Sequence, residues 1–136
     1  MSWATLAENS NMLSLRFPKV WIGLGWLLVA GVSFGSLLPA PNFDIVDNDK
    51  LVHFSSYFLL TIWFCGLYGK RRNYIVIAAV LIGLGALLDL LQGATSTRHF
   101  DIYDILANTI GVLLGFVLAL VLIGGWCQTV ERWLTE

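Results

Sequence analysis

Asp89-Leu90-Leu91-Gln92, a short polar turn, and then Arg98-His99-Phe100-Asp101-Ile102-Tyr103-Asp104-Ile105-Leu106-Ala107-Asn108-Thr109-Ile110-Gly111-Val112-Leu113-Leu114-Gly115 crowd polar and ionisable side chains between two apolar runs. Ionisable residues are rare within membrane helices, where they face the bundle interior and mark functional sites. Whether this stretch is a mere interruption between helices or a site depends on what the rest of the chain brings to it.

The remainder is strongly apolar. Of 136 residues, 57% are hydrophobic and 12% charged, and the mean hydropathy is +0.76. Soluble domains carry about 25% charged residues, so a single integral membrane domain is the expected class. A net charge of -1 gives no basic surface to neutralise phosphates, which excludes nucleic acid as a partner. Cys65 and Cys127 lack metal-like spacing and are expected as small buried apolar residues.

Four spans follow in order: about 20–38, 51–68, 74–91 and 102–126. The first, Val20 to Leu38, is nineteen residues without a charge, about 28 Å of helix against a hydrocarbon core of about 30 Å. It exceeds the apolar region of a signal peptide and is read as a retained helix that stops at Pro39 and Pro41. Residues 1–19 and 128–136 read as polar tails flanking a transmembrane domain of 20–127. Gly69 to Asn73 forms a basic turn between the second and third spans.

Arg16, Lys19, Lys70, Arg71, Arg72 and Arg132 all fall on one side of this arrangement, with only Lys50 and Arg98 on the other. The positive-inside rule then predicts an all-α, four-helix transmembrane bundle with both termini cytoplasmic and with loops 39–50 and 92–101 facing outward. Trp21 and Trp126, with Tyr68 and Tyr74, sit where interfacial anchors belong.

That topology gathers Asp49, Lys50, His53, Asp89, Gln92, Arg98, Asp101, Asp104 and Asn108 at one outer end. Asp49, His53 and Tyr57 share a face of the second helix, and Asp89 and Gln92 share a face of the third. Asp101, Asp104, Asn108, Gly111 and Gly115 form one stripe on the fourth that begins charged and ends Gly-x-x-x-Gly, a pattern for close helix contact in lipid. The acids are therefore expected to point into the bundle and to pair with His53, Lys50 and Arg98; several pairings are open. Simpler roles compete: Asp101 as a helix N-cap, Asp49 at a helix dipole, Lys50 and Arg98 reaching for headgroups. Ser55, Ser56 and Thr109 are expected to bond their own helix backbone.

Asp49-Lys50-Leu51-Val52-His53-Phe54-Ser55-Ser56-Tyr57, Asp89-Leu90-Leu91-Gln92, and Arg98 to Gly111 together resemble the VanZ-like family of small bacterial membrane proteins, over about residues 39–122. The family commonly has glutamate where this chain has Asp89, one methylene shorter. The resemblance implies a multi-pass protein of the bacterial plasma membrane and a link to resistance against the glycopeptide teicoplanin, which acts on a cell-wall precursor.

Two functions are compatible with the residues. In the first, the cluster binds without catalysis a lipid headgroup, a lipid-linked cell-wall precursor, the glycopeptide or another partner, with Asp49, Lys50, Gln92, Arg98, Asp101 and Asn108 as ligand-binding groups. In the second, an intramembrane enzyme uses His53 as general acid or base, with Asp89 and Asp104 as catalytic partners on an outer-leaflet lipid-linked substrate. No cofactor is expected. A metal held by His53 with Asp49, Asp89 and Asp104 ranks behind both, because two basic residues offset the acids and no cysteine or second histidine joins them. Gly31 and Gly35 offer a second Gly-x-x-x-Gly face on which a homodimer could form.

Overall fold

The computed structural model describes residues 12–38, 49–94 and 100–135. Their regular structure is helical: α1 (Pro18–Leu37), α2 (Asp49–Cys65), α3 (Arg71–Gly93), α4 (Ile102–Leu118) running into a π-helical turn (Ala119–Ile123), and α5 (Trp126–Thr135). Local chemistry sets several of these ends. Pro18 opens α1, where its fixed φ suits the first turn and its missing N–H costs nothing. Leu38 leaves the helix in an extended conformation (φ -71°, ψ 149°), as a residue preceding proline must. Asp101 caps α4 by accepting the Tyr103 N–H at 2.9 Å.

Three helical segments are long and apolar enough to cross a membrane: Pro18–Leu37, Arg71–Gly93 and Ile102–Ile123. They correspond to the expected first, third and fourth spans. The expected second span ends earlier than its hydropathy suggests, because the chain turns at Gly66 and Leu67. The resulting α2 has 17 residues, about 25 Å of helix and short of a ~30 Å core. The basic turn is also shorter than expected, since Arg71, Arg72 and Asn73 form the first turn of α3. The fourth span stops before Trp126. Gly125 adopts φ +73°, a left-handed conformation glycine enters without a Cβ penalty, and the chain re-forms a helix after it. The expected polar tail from 128 is thus mostly helix.

The start of α2 meets the start of α4 through Lys50, Asp101 and Asp104, and the ends of α1 and α3 arrive at the same place through Ser36, Gln92 and Asp89. The four long helices therefore alternate in direction. The α2–α4 pair is the most extensive contact, and its seam is the glycine stripe read from the sequence. A Cβ on Gly111 would strike the Phe54 carbonyl oxygen, and one on Gly115 would lie 2.9 Å from Thr61 Cβ and 3.0 Å from Phe58 O.

Polarity runs inside out. His53, Thr61, Asp89, Gln92, Asp104 and Asn108 are buried, while Leu27, Leu59, Val80, Leu90, Leu113 and Val121 stand exposed on the helix exteriors. Monomers in water do not expose apolar surface on this scale; a bilayer makes it the favoured arrangement. Cys65 and Cys127 are fully buried and unbridged, as expected. Thr61 and Thr109 each donate to the carbonyl four residues back at 2.8 Å, the role expected of hydroxyls here.

Candidate functional site

The polar groups at the α2/α4 start form two tiers. In the upper, more exposed tier, the Lys50 ammonium donates to Asp101 Oδ2 at 2.6 Å and to Asp104 Oδ1 at 2.9 Å. These two charge-assisted hydrogen bonds hold the ammonium between the two carboxylates. The hydrogen bond from Lys50, with the Tyr103 N–H, holds the Asp101 carboxyl below its ordinary range. Asp101 thus does both things open in the sequence: it caps α4 and it belongs to the cluster.

In the lower tier every group is nearly inaccessible. Asn108 donates through Nδ2 to Asp89 Oδ2 at 2.9 Å, which leaves its Oδ1 to face His53 Nδ1 at 3.1 Å. A side-chain amide oxygen can only accept, so Nδ1 carries the proton and Nε2 turns the other way. Nε2 then lies 3.8 Å from Asp104 Oδ2 and 3.9 Å from Asp49 Oδ1, too far for hydrogen bonds. Asp104 divides its oxygens, one to Lys50 and one toward the imidazole.

Gln92 donates to the Ser36 carbonyl at 2.5 Å and so ties α1 to the site. Tyr57 continues the Asp49/His53 face as expected and is buried among Gly85 and Asn108. Asp49, Lys50, His53, Asp89, Gln92, Asp101, Asp104 and Asn108 are therefore brought together; Arg98 and His99 lie outside the described residues.

A second polar centre, at the opposite end, was not read from the sequence. Glu131 on α5 accepts the Arg16 N–H at 2.5 Å, the Phe17 N–H at 2.9 Å and the Trp21 indole N–H at 2.8 Å. Trp21, which bonds it, packs tilted or edge-to-face with Trp63 and Trp126, the three ring centroids 5.4–5.6 Å apart. The expected anchors Trp21 and Trp126 thus meet each other, and Glu131 clamps the last helix to the first. The signal available was amphipathic spacing: Trp126, Val130, Trp133 and Leu134 on one side of a helix, Gln128, Glu131 and Arg132 on the other.

This clamp has a pH signature. Burial raises the Glu131 carboxyl, but the Arg16 and Phe17 N–H groups, the Trp21 indole and the Arg16 charge outweigh it, so its pKa falls below the ordinary 4.5. A depressed folded-state value contributes stability that is complete above the unfolded value and is lost as pH falls through the folded one. Glu131→Gln is therefore expected to lower the unfolding temperature of the detergent-solubilised protein at pH 7. The gap from wild type should narrow as pH drops below about 4.5; a gap that stays constant from pH 7 to pH 3 would exclude the ionised clamp.

An all-helical protein with membrane-length apolar helices and a buried acid–amide–imidazole chain at one end defines a class of polytopic membrane protein with an internal polar site. The chain belongs to the VanZ/LLP1 family, whose family model matches residues 5–123. It is also similar to an uncharacterized protein of the fission yeast Schizosaccharomyces pombe, at 33% identity over 97 residues. That similarity covers 68% of this chain and 56% of the yeast protein, so the chain spans little more than half of that relative's length. No solved structure matches it.

Proposed function

We propose that this VanZ-like protein binds an anionic component of the cell envelope at the Lys50–His53–Asp104 end of its bundle. In this reading α1–α4 all traverse the plasma membrane, α2 as the short central helix, with both termini cytoplasmic and the polar site at the outer face. The basic residues at the other end, Lys19, Lys70, Arg71, Arg72 and Arg132, support that orientation. The observation that carries the binding role is the two-tiered cluster itself. A half-exposed lysine sits over a buried hydrogen-bonded chain, where a phosphate or carboxylate can replace Asp101 as its partner.

A lipid headgroup and a lipid-linked cell-wall precursor share this chemistry, and either would connect the protein to glycopeptide susceptibility in a bacterium. The fission yeast relative favours the headgroup, since fungal walls contain no peptidoglycan while lipid phosphates are common to both membranes. Among the described residues nothing lies within 4 Å of a Cβ added at Gly31 or Gly35, which leaves that face to lipid or a second copy of the chain.

Deleting the gene should change the envelope lipid or precursor profile and, in a bacterial host, teicoplanin susceptibility. Wild type should restore both, and Lys50→Ala should restore neither. A deletion with no effect on any of these would remove the proposal. The enzymatic alternative is favoured by one observation: Asn108 orients His53 so that Nε2 points toward the Asp49 and Asp104 carboxylates. It requires a proton transfer at that nitrogen, so a folded His53→Ala protein that complements fully would eliminate catalysis and leave binding intact.

A further inference from the structure

His53 is 6% exposed, and among the described residues its Nε2 has no partner within hydrogen-bond distance. In the neutral tautomer that Asn108 selects, with the proton on Nδ1, Nε2 presents a lone pair toward two carboxylate oxygens, Asp49 Oδ1 and Asp104 Oδ2. Three electron-rich atoms facing one another repel unless a positive centre lies between them. All three lie within 4.8 Å of one another. Given the 3.9 Å and 3.8 Å edges, a point equidistant from them is about 2.2–2.5 Å from each, the range of metal–nitrogen and metal–oxygen bonds.

We infer that Asp49, His53 and Asp104 bind a divalent metal cation. The surroundings match what a ligating histidine needs. Its other ring nitrogen donates to Asn108, which is fixed in turn by Asp89; such outer partners set the tautomer and orientation of metal-bound imidazoles. Asp104 is held from behind by Lys50 on its other oxygen. Of the two basic residues that made a metal look superfluous in the sequence, Lys50 is committed to Asp101 and to one oxygen of Asp104. One imidazole and two carboxylates suit Zn²⁺ or Mn²⁺. Three protein ligands leave open positions for an oxygen from outside the chain, the anion class proposed above; the inference rests on that reading only for what fills them.

The test uses the full chain in detergent, stripped with a chelator and titrated with Zn²⁺ or Mn²⁺ alone, followed by calorimetry, bound-metal analysis and thermal unfolding. One metal per chain and a raised unfolding temperature are expected. Asp49→Asn, on a half-exposed side chain at the helix start, should fold and bind at least tenfold more weakly. His53→Gln should abolish binding, and Asn108→Ala should weaken it by about 10–100-fold. Gly31→Ala, on an open helix face, should bind as wild type does. Absence of stoichiometric binding, or affinity unchanged in both Asp49→Asn and His53→Gln, would overturn the inference and leave an imidazolium between two carboxylates. Because no envelope component is added, that failure is separate from failure of the binding role, which is read in cells.

Discussion

Gly111→Ala is expected to destabilise the bundle by about 3 kcal/mol, the upper end of the usual overpacking cost, through one added methyl group. The new Cβ would fall on the Phe54 carbonyl oxygen and lie 3.1 Å from Phe58 N, both backbone atoms of α2. A side chain could rotate away, but a helix backbone cannot, so α2 must shift as a body from α4. That shift also separates the two halves of the site, since Lys50 and His53 ride on α2 while Asp104 and Asn108 ride on α4. Stability and site occupancy should therefore fall together. Gly31→Ala is the matched control: nothing lies within 4 Å of its added Cβ. A helix-interior alanine there should be neutral or stabilising by up to about 1 kcal/mol. Unfolding of the two variants in the same detergent decides the matter, and equal stabilities would mean that the α2–α4 seam is not close-packed at Gly111.

The sequence made that seam legible because a period of three and four on α4 joined Asp104 and Asn108 to Gly111 and Gly115. Polar groups and glycines on one face have only one place to go in a lipid-facing helix. It could equally place Asp49, His53 and Tyr57 together, since side-chain direction along a helix is fixed by geometry. What it could not supply was the choice among partners. Lys50 bonds Asp101 and Asp104, and that selection depends on how α2 and α4 are staggered. The Ser36 carbonyl that receives Gln92 is a backbone group and carries no residue signature. Glu131 was missed for a related reason. Its donors lie 110 to 115 positions away, two of them main-chain N–H groups that any residue would provide. The end of α2 was misplaced because hydropathy continues through Leu67 and Tyr68 after the helix has stopped at Cys65.

Asn108→Leu should lower stability by about 3 kcal/mol even though leucine keeps the same branched side-chain skeleton as asparagine. The substitution takes the amide donor from the buried Asp89 carboxylate and the acceptor from His53 Nδ1, two hydrogen bonds at 2.9 Å and 3.1 Å in a region closed to water. Deleting one member of a buried polar pair costs the desolvation of the group left behind, whereas replacing both by apolar groups can be nearly neutral. Asp89→Leu alone should therefore also destabilise, by stranding the Asn108 amide, and the double variant should be more stable than the summed single effects predict. A coupling of about 1–3 kcal/mol is expected, as found for residues sharing one network. The same cycle between Asp89 and His53 should give a smaller but nonzero coupling, because their interaction runs chiefly through Asn108. Strict additivity in both cycles would mean that Asp89, Asn108 and His53 do not act as one unit. The orientation of the imidazole, on which both the catalytic and the metal readings depend, would then need another cause.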